Sequence, residues 1–242
     1  MRFLTIVPVP GVEAAGPGAL GRAAAWFPAV GLGLGAVLVG ADTLLGRAFP
    51  PLLAALLVVS IWKVLTGGIH LDGLADSLDA LGGREPGARL AIMHDSRIGV
   101  FGAVGLILMF LISMMALAEM PPAARWRVLL LTPVVGRLGP VLMATSFQAA
   151  TPESGAGARF MAAVPRWAGP LGLGATAALA ALLLGRWGVA MLVLALAVVF
   201  VWSAFLAGRL GGLTGDSLGA SVELGELGVL LGGAAVAHLG LG

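Results

Sequence analysis

Six apolar stretches, at 28–45, 52–69, 98–117, 128–150, 168–184 and 189–206, limit what this chain can fold into more than any other feature. A helix needs about 20 mostly apolar residues to cross the hydrocarbon core of a bilayer, and each stretch approaches that length. A seventh stretch, at 227–241, is shorter and glycine-rich, and is read as a further crossing. The expected fold is all-α: a polytopic transmembrane helical bundle of six to seven spans, making one integral-membrane domain over 1–242. Composition agrees, since 59% of residues are hydrophobic, 11% are charged and the mean hydropathy is +1.03, more apolar surface than a water-soluble domain can cover. Glycines inside the runs, as in Gly31-Leu32-Gly33-Leu34-Gly35, are read as points of close helix approach in lipid. The opening residues, interrupted by Pro8 and Pro10, do not form the apolar core of a cleaved signal peptide.

Composition also excludes chemistries. There is no cysteine, so any metal must be held by Asp, Glu, His or backbone oxygen. The sequence pI is near 10.4, yet the 14 Lys and Arg are dispersed along the chain with no basic run, so nucleic acid is not an expected partner. They are read as membrane-topology charges, the bilayer being the expected partner, with oligomerisation left open. Two connections, 67–97 and 209–226, carry most of the acid. Four apolar runs separate them, and an even number of crossings returns the chain to the same face. That face would hold Arg2, Arg22, Arg84, Arg89, Arg97, Arg159, Arg166 and Arg209, against Arg47, Arg125, Arg127 and Arg186 on the other. The bias places the two connections, and the active site, on the cytoplasmic side of an inner membrane.

In Gly67-Gly68-Ile69-His70-Leu71-Asp72-Gly73-Leu74-Ala75-Asp76-Ser77-Leu78-Asp79 the aspartates fall at i, i+4 and i+7, one face of a helix. Stacked carboxylates repel unless a cation sits among them, and oxygen-only ligands point to a hard ion, magnesium or manganese. The plain alternative is a solvated acidic face, weighed lower because acids near a membrane in so uncharged a chain are expected to be functional. His70 is open between ligand, base and supporting hydrogen-bond partner. In Met93-His94-Asp95-Ser96-Arg97-Ile98-Gly99 a helix start attracts phosphate that Arg97 would clamp; equally, Asp95 or Ser96 caps that helix and Arg97 snorkels. In Thr214-Gly215-Asp216-Ser217-Leu218-Gly219-Ala220 an acid lies between glycines that permit close backbone approach to a ligand. Glu223 and Glu226 are expected to be solvated at the interface. Arg137, deep in a run, is expected to face the interior, paired with an acid or an anionic substrate, whereas Lys63 can snorkel.

These three ordered motifs resemble the CobS family, the adenosylcobinamide-GDP ribazoletransferases or cobalamin synthases. The resemblance covers nearly the whole chain, including Phe3-Leu4-Thr5 with Pro8 and Pro10, Trp26-Phe27-Pro28, Gly136-Arg137, and Gly155-Ala156-Gly157 before Phe160; it departs at Ala80, where the family usually has Gly. It implies a membrane transferase that needs Mg2+ and joins adenosylcobinamide-GDP to α-ribazole or its 5′-phosphate with release of GMP, giving adenosylcobalamin or its 5′-phosphate. With that chemistry, Asp72, Asp76 and Asp216 are assigned to metal, and Asp79 to general base with His70 and Asp95 as competitors. Arg97, Arg137, Ser96, Gly215 and Gly219 are assigned to substrate. A cytidyl-diphosphate alcohol phosphotransferase, a prenyltransferase and a divalent-cation transporter are the alternatives. The first would need Asp-Gly-x-x-Ala-Arg, which Asp72-Gly73-Leu74-Ala75-Asp76 does not supply.

Overall fold

The computed structural model describes residues 4–6, 19–153 and 155–241; Arg2, Phe3, Pro8 and Pro10 lie outside them. Among the described residues all regular elements are helical. A short α1 (Ala19–Arg22) and a 3-10 turn run into α2 (Phe27–Ala48). There follow α3 (Pro51–Leu65), α4 (Ile69–Asp79), α5 (Pro86–Met93), α6 (Val100–Glu119) and α7 (Pro122–Ser146). The chain ends with α8 (Ala156–Ala163), α9 (Ala168–Leu210) and α10 (Gly215–His238). Pro51, Pro86 and Pro122 open α3, α5 and α7, where proline's fixed φ suits the first turn and its missing N–H goes unneeded.

Among the described residues five helices are long and apolar enough to cross a membrane: α1 with α2, α6, α7, α9 and α10. The pair α3 and α4 qualifies only jointly, and is bent by 91°. The 43 residues of α9 would extend for about 65 Å if straight, twice a bilayer's core. Gly185 breaks it with φ 58 and ψ −141, a backbone open to glycine alone. A Cβ at Gly188 would overlap the Ala180 carbonyl, although eight residues of straight helix rise about 12 Å. The chain therefore doubles back at Gly185, and the arms 168–184 and 186–210 match the separate runs expected from sequence.

Phe27, Ile69, Phe160 and Gly215 line one cavity, so α2, α4, α8 and α10 all start on one face. It follows that α3 makes the return crossing and α4 lies along that face. Tryptophan marks both interfaces, where amphipathic rings settle. Trp26 and Trp167 are exposed beside the starts of α2 and α9; on the opposite face, Arg127 and Arg186 stand over the rings of Trp126 and Trp187. At the centre is α7, whose Leu129, Leu131, Val135 and Leu138 pack with Leu38, Val58, Trp62 and Leu117. Gly31 and Gly35 let α2 approach it, a Cβ at Gly35 falling 2.6 Å from the Leu130 carbonyl oxygen, while Gly33 faces open space.

One expectation is corrected. α4 gives 67–97 the helix that the aspartate spacing requires, whereas α10 begins at Gly215, so the second connection is largely helical and the last crossing is Gly215–His238 rather than 227–241. Thr214 starts α10 with a capping box, its hydroxyl accepting from the Ser217 N–H while its own N–H donates to the Ser217 hydroxyl. Glu223 and Glu226, two of the acids that make 215–226 look like a loop, are buried in ion pairs.

Candidate active site

Gly67 and Gly68 take φ of 66 and 68, the left-handed region that lets the chain leave α3 and enter α4 at its sharp angle. One side of α4 packs on α10. Gly73 makes that approach, since a Cβ there would lie 2.7 Å from the Asp216 carbonyl oxygen, and Gly219 meets the backbone of His70 and Gly73 at ordinary contact. Across α10, a Cβ at Gly157 would lie 2.5 Å from the Gly215 nitrogen. Gly73 and Gly219 thus hold α10 against α4, and Gly157 holds it against α8. Gly215 and Gly219 still line a cavity there, so both tasks fall on the same residues.

This packing sets Asp216 beside Asp72 and Asp76. Burial, then the charges of Asp72, Asp216 and Asp79, push the Asp76 carboxyl up to about 6, opposed by the imidazole of His94. His94, which donor and acceptor patterns in the sequence did not single out, stands in the wall of a cavity of about 490 Å³ with Asp72, Asp76, Ser96 and Arg97. Asp95 chelates Arg97: Nε donates at 3.0 Å to Oδ1 and Nη2 at 2.6 Å to Oδ2. That pair holds the Asp95 carboxyl down at about 2, and Arg97 remains 87% exposed at the rim.

Asp79, close enough for its charge to act on Asp76, is engaged by another helix. Its carboxylate accepts the Gly99 N–H at 2.7 Å and the Gly102 N–H at 2.8 Å, capping α6 from twenty residues upstream. A Cβ at Gly99 or Gly102 would overlap that carboxylate. The glycines expected to receive phosphate at a helix start instead receive Asp79, and neither Asp95 nor Ser96 caps the helix. Both Asp79 oxygens are occupied by backbone donors, which does not suit the general base it was expected to be.

Arg137 is also drawn elsewhere. It is fully buried and bonded to Glu226, and lines neither cavity; Lys63 Nζ lies 2.5 Å from Glu223 and 2.9 Å from Glu226. Lys63, Glu223 and Glu226 are 6%, 1% and 2% exposed. The expected solvation of Glu223 and Glu226 and snorkelling of Lys63 are therefore overturned: two cations in apolar runs recruit the two acids at i and i+3 on α10. His70 is buried beside this network, and its Nδ1 has no hydrogen-bond partner among the described residues. Burial, with the charges of Arg137 and Lys63, holds its imidazole well below the usual histidine range and so neutral.

Among the described residues no three acid or histidine side chains stand close enough to enclose a metal by themselves. The carboxylate-only set of Asp72, Asp76 and Asp216 nonetheless fits magnesium, which takes one or two carboxylates and completes its octahedral shell with water and substrate phosphate.

Comparison with known proteins adds three relatives and a family. The profile of CobS, cobalamin-5-phosphate synthase, matches residues 1–234. The adenosylcobinamide-GDP ribazoletransferase of Ectopseudomonas mendocina is 44% identical over 241 residues, spanning 96% of this chain and 95% of that one. Those of Geotalea daltonii and Syntrophobacter fumaroxidans are 37% and 38% identical, spanning 94% and 97% of this chain and 92% and 96% of their own. No solved structure matches.

Proposed function

Because the chain belongs to the cobalamin-5-phosphate synthase family and carries out the adenosylcobinamide-GDP ribazoletransferase step of cobalamin biosynthesis, we propose that its substrates meet over α4, at Asp72, Asp76 and Asp216. The substrates are adenosylcobinamide-GDP and α-ribazole or its 5′-phosphate. A ribose hydroxyl oxygen forms a bond to the phosphorus attached to cobinamide. The bond from that phosphorus to the bridging oxygen breaks, GMP leaves with the electron pair, and the hydroxyl proton passes to a base. Bound between the carboxylates, Mg2+ would neutralise the charge that builds on the diphosphate oxygens.

The supporting observation is the crowding of Asp76 by Asp72 and Asp216, three carboxylates opposed only by His94. Such a group is poised for a cation that arrives with the diphosphate. Of the expected bases, Asp79 is engaged by two N–H donors and Asp95 by Arg97, which leaves His70, a lining residue of the cavity beside Asp216, to take the proton. Arg97 exchanges its exposed bond to Asp95 for a diphosphate oxygen, with Ser96 beside it. Arg137 holds Glu226 rather than substrate. The arginine bias supports a cytoplasmic orientation for this face. Purified protein in lipid nanodiscs, given both substrates and Mg2+, is expected to release GMP only when the metal is present. Metal-independent release, or none, overturns the proposal.

A further inference from the structure

The two cavities flank α4. The polar one holds Asp72 and Asp76; the other, of about 180 Å³, is walled by apolar side chains except for His70 and Asp216. Phe27 and Phe160 line it together, their rings stacked with centroids 5.6 Å apart and planes at 14°. Both are buried, and Leu4, over the same cavity, is held there by the neighbouring Ile6 N–H donating to the Leu65 carbonyl at 2.9 Å. We propose that this cavity is the subsite for the dimethylbenzimidazole base of α-ribazole, its flat ring against Phe27 and Phe160 and its ribose at the edge formed by His70 and Asp216.

The proposal rests on the transferase reading above, and the choice of occupant comes from three constraints. An apolar cavity of roughly 150 Å³ accepts a benzene ring, so this one admits a flat aromatic group that projects partly into the site and excludes a corrinoid. Guanine would fit by size, but its edge carries several donors and acceptors, and two polar side chains would leave most of them buried and unpaired. Dimethylbenzimidazole has two methyl groups and a single free ring nitrogen. With the ring seated, the ribose emerges between His70 and Asp216, next to the carboxylates that would hold the metal for the diphosphate. The hydroxyl then reaches both its proton acceptor and the phosphorus without either substrate crossing the other.

Ala156 lines the cavity from an exposed position on α8, so Ala156→Leu fills it while leaving the core alone. In nanodiscs, GMP release is followed with α-ribazole and with the smaller single-ring imidazole riboside. The variant is expected to lower the preference for α-ribazole over the imidazole riboside by about tenfold or more, the scale of one lost ring contact. The KM for adenosylcobinamide-GDP is expected to stay within about twofold of wild type, since only the ribazole side is altered. Phe160→Leu, which keeps an apolar wall but removes the stacking ring, is expected to move the same preference in the same direction. An unchanged preference in both variants overturns the subsite, and so does a rise confined to the KM for adenosylcobinamide-GDP, which would assign the cavity to guanine. Wild-type protein that releases no GMP with either riboside overturns the transferase reading instead.

Discussion

Burial and its acidic neighbours together change the chemistry of Asp76. Its ordinary value is 3.8 and its folded value about 6, so between these the folded state holds a proton that the unfolded chain has lost. Stability of the metal-free protein is then expected to fall as pH rises through that window and to level off above it; Asp76→Asn should flatten the slope and raise the metal-free Tm. Mg2+ must displace that proton, so it should raise Tm more at about pH 7 than at about pH 5. A magnesium-induced shift independent of pH would remove Asp76 from the metal site. The same variant is expected to lose GMP release while remaining membrane-inserted. Gly73→Ala is a second test at this scale. Its methyl would press on the Asp216 backbone, parting the two halves of the acid cluster, and kcat should fall at least about tenfold for a misplacement of an ångström or less.

Between elements, charge holds helices together where apolar packing alone would leave them free to slide. Lys63 on α3, Arg137 on α7 and Glu223 with Glu226 on α10 form a neutral group of two cations and two acids inside the bundle. Removing one member strands an opposite charge, so Lys63→Met is expected to cost about 3–5 kcal/mol, measured by unfolding in mild detergent. Adding Glu223→Gln should recover part of that loss; additive losses would show that the charges are not coupled. Asp79 joins α4 to α6 by a different device. Asp79→Ala leaves two N–H groups of α6 without their acceptor, an expected loss of about 1–2 kcal/mol. Because the residue orders the loop carrying His94 to Arg97, kcat should drop through positioning, with a smaller fall than for Asp76→Asn.

For the whole molecule, the hairpin at Gly185 decides the topology. If α9 doubles back, the loop around Ser96 and the turn around Arg186 lie on opposite faces. The chain has no cysteine, so single variants Ser96→Cys and Arg186→Cys report on this directly. In oriented membranes an impermeant thiol reagent is expected to reach Ser96→Cys from the cytoplasmic side and Arg186→Cys from the other. Labelling of both from one face would mean that α9 crosses once, and Asp216 could not then share a face with Asp72.

Hydropathy and parity, both readable by counting along the chain, determined by themselves that this is a helical membrane bundle and that its motifs meet on one face. The spacing of Asp72 and Asp76 likewise needed only the helical repeat. Only the tertiary structure decided which charge each acid answers to. Asp79 shares the helix face of Asp76, yet two N–H groups at the start of α6 claim it. Glu223 and Glu226 look like interfacial acids until Lys63, 160 residues away, and Arg137 are packed against them. The apolar cavity is assembled from α2, α4, α8 and α10, and no segment alone contains it. The reason is physical: away from water, a charge or a ring takes its role from whatever packing places beside it, and that neighbour is set by the fold rather than by adjacent residues.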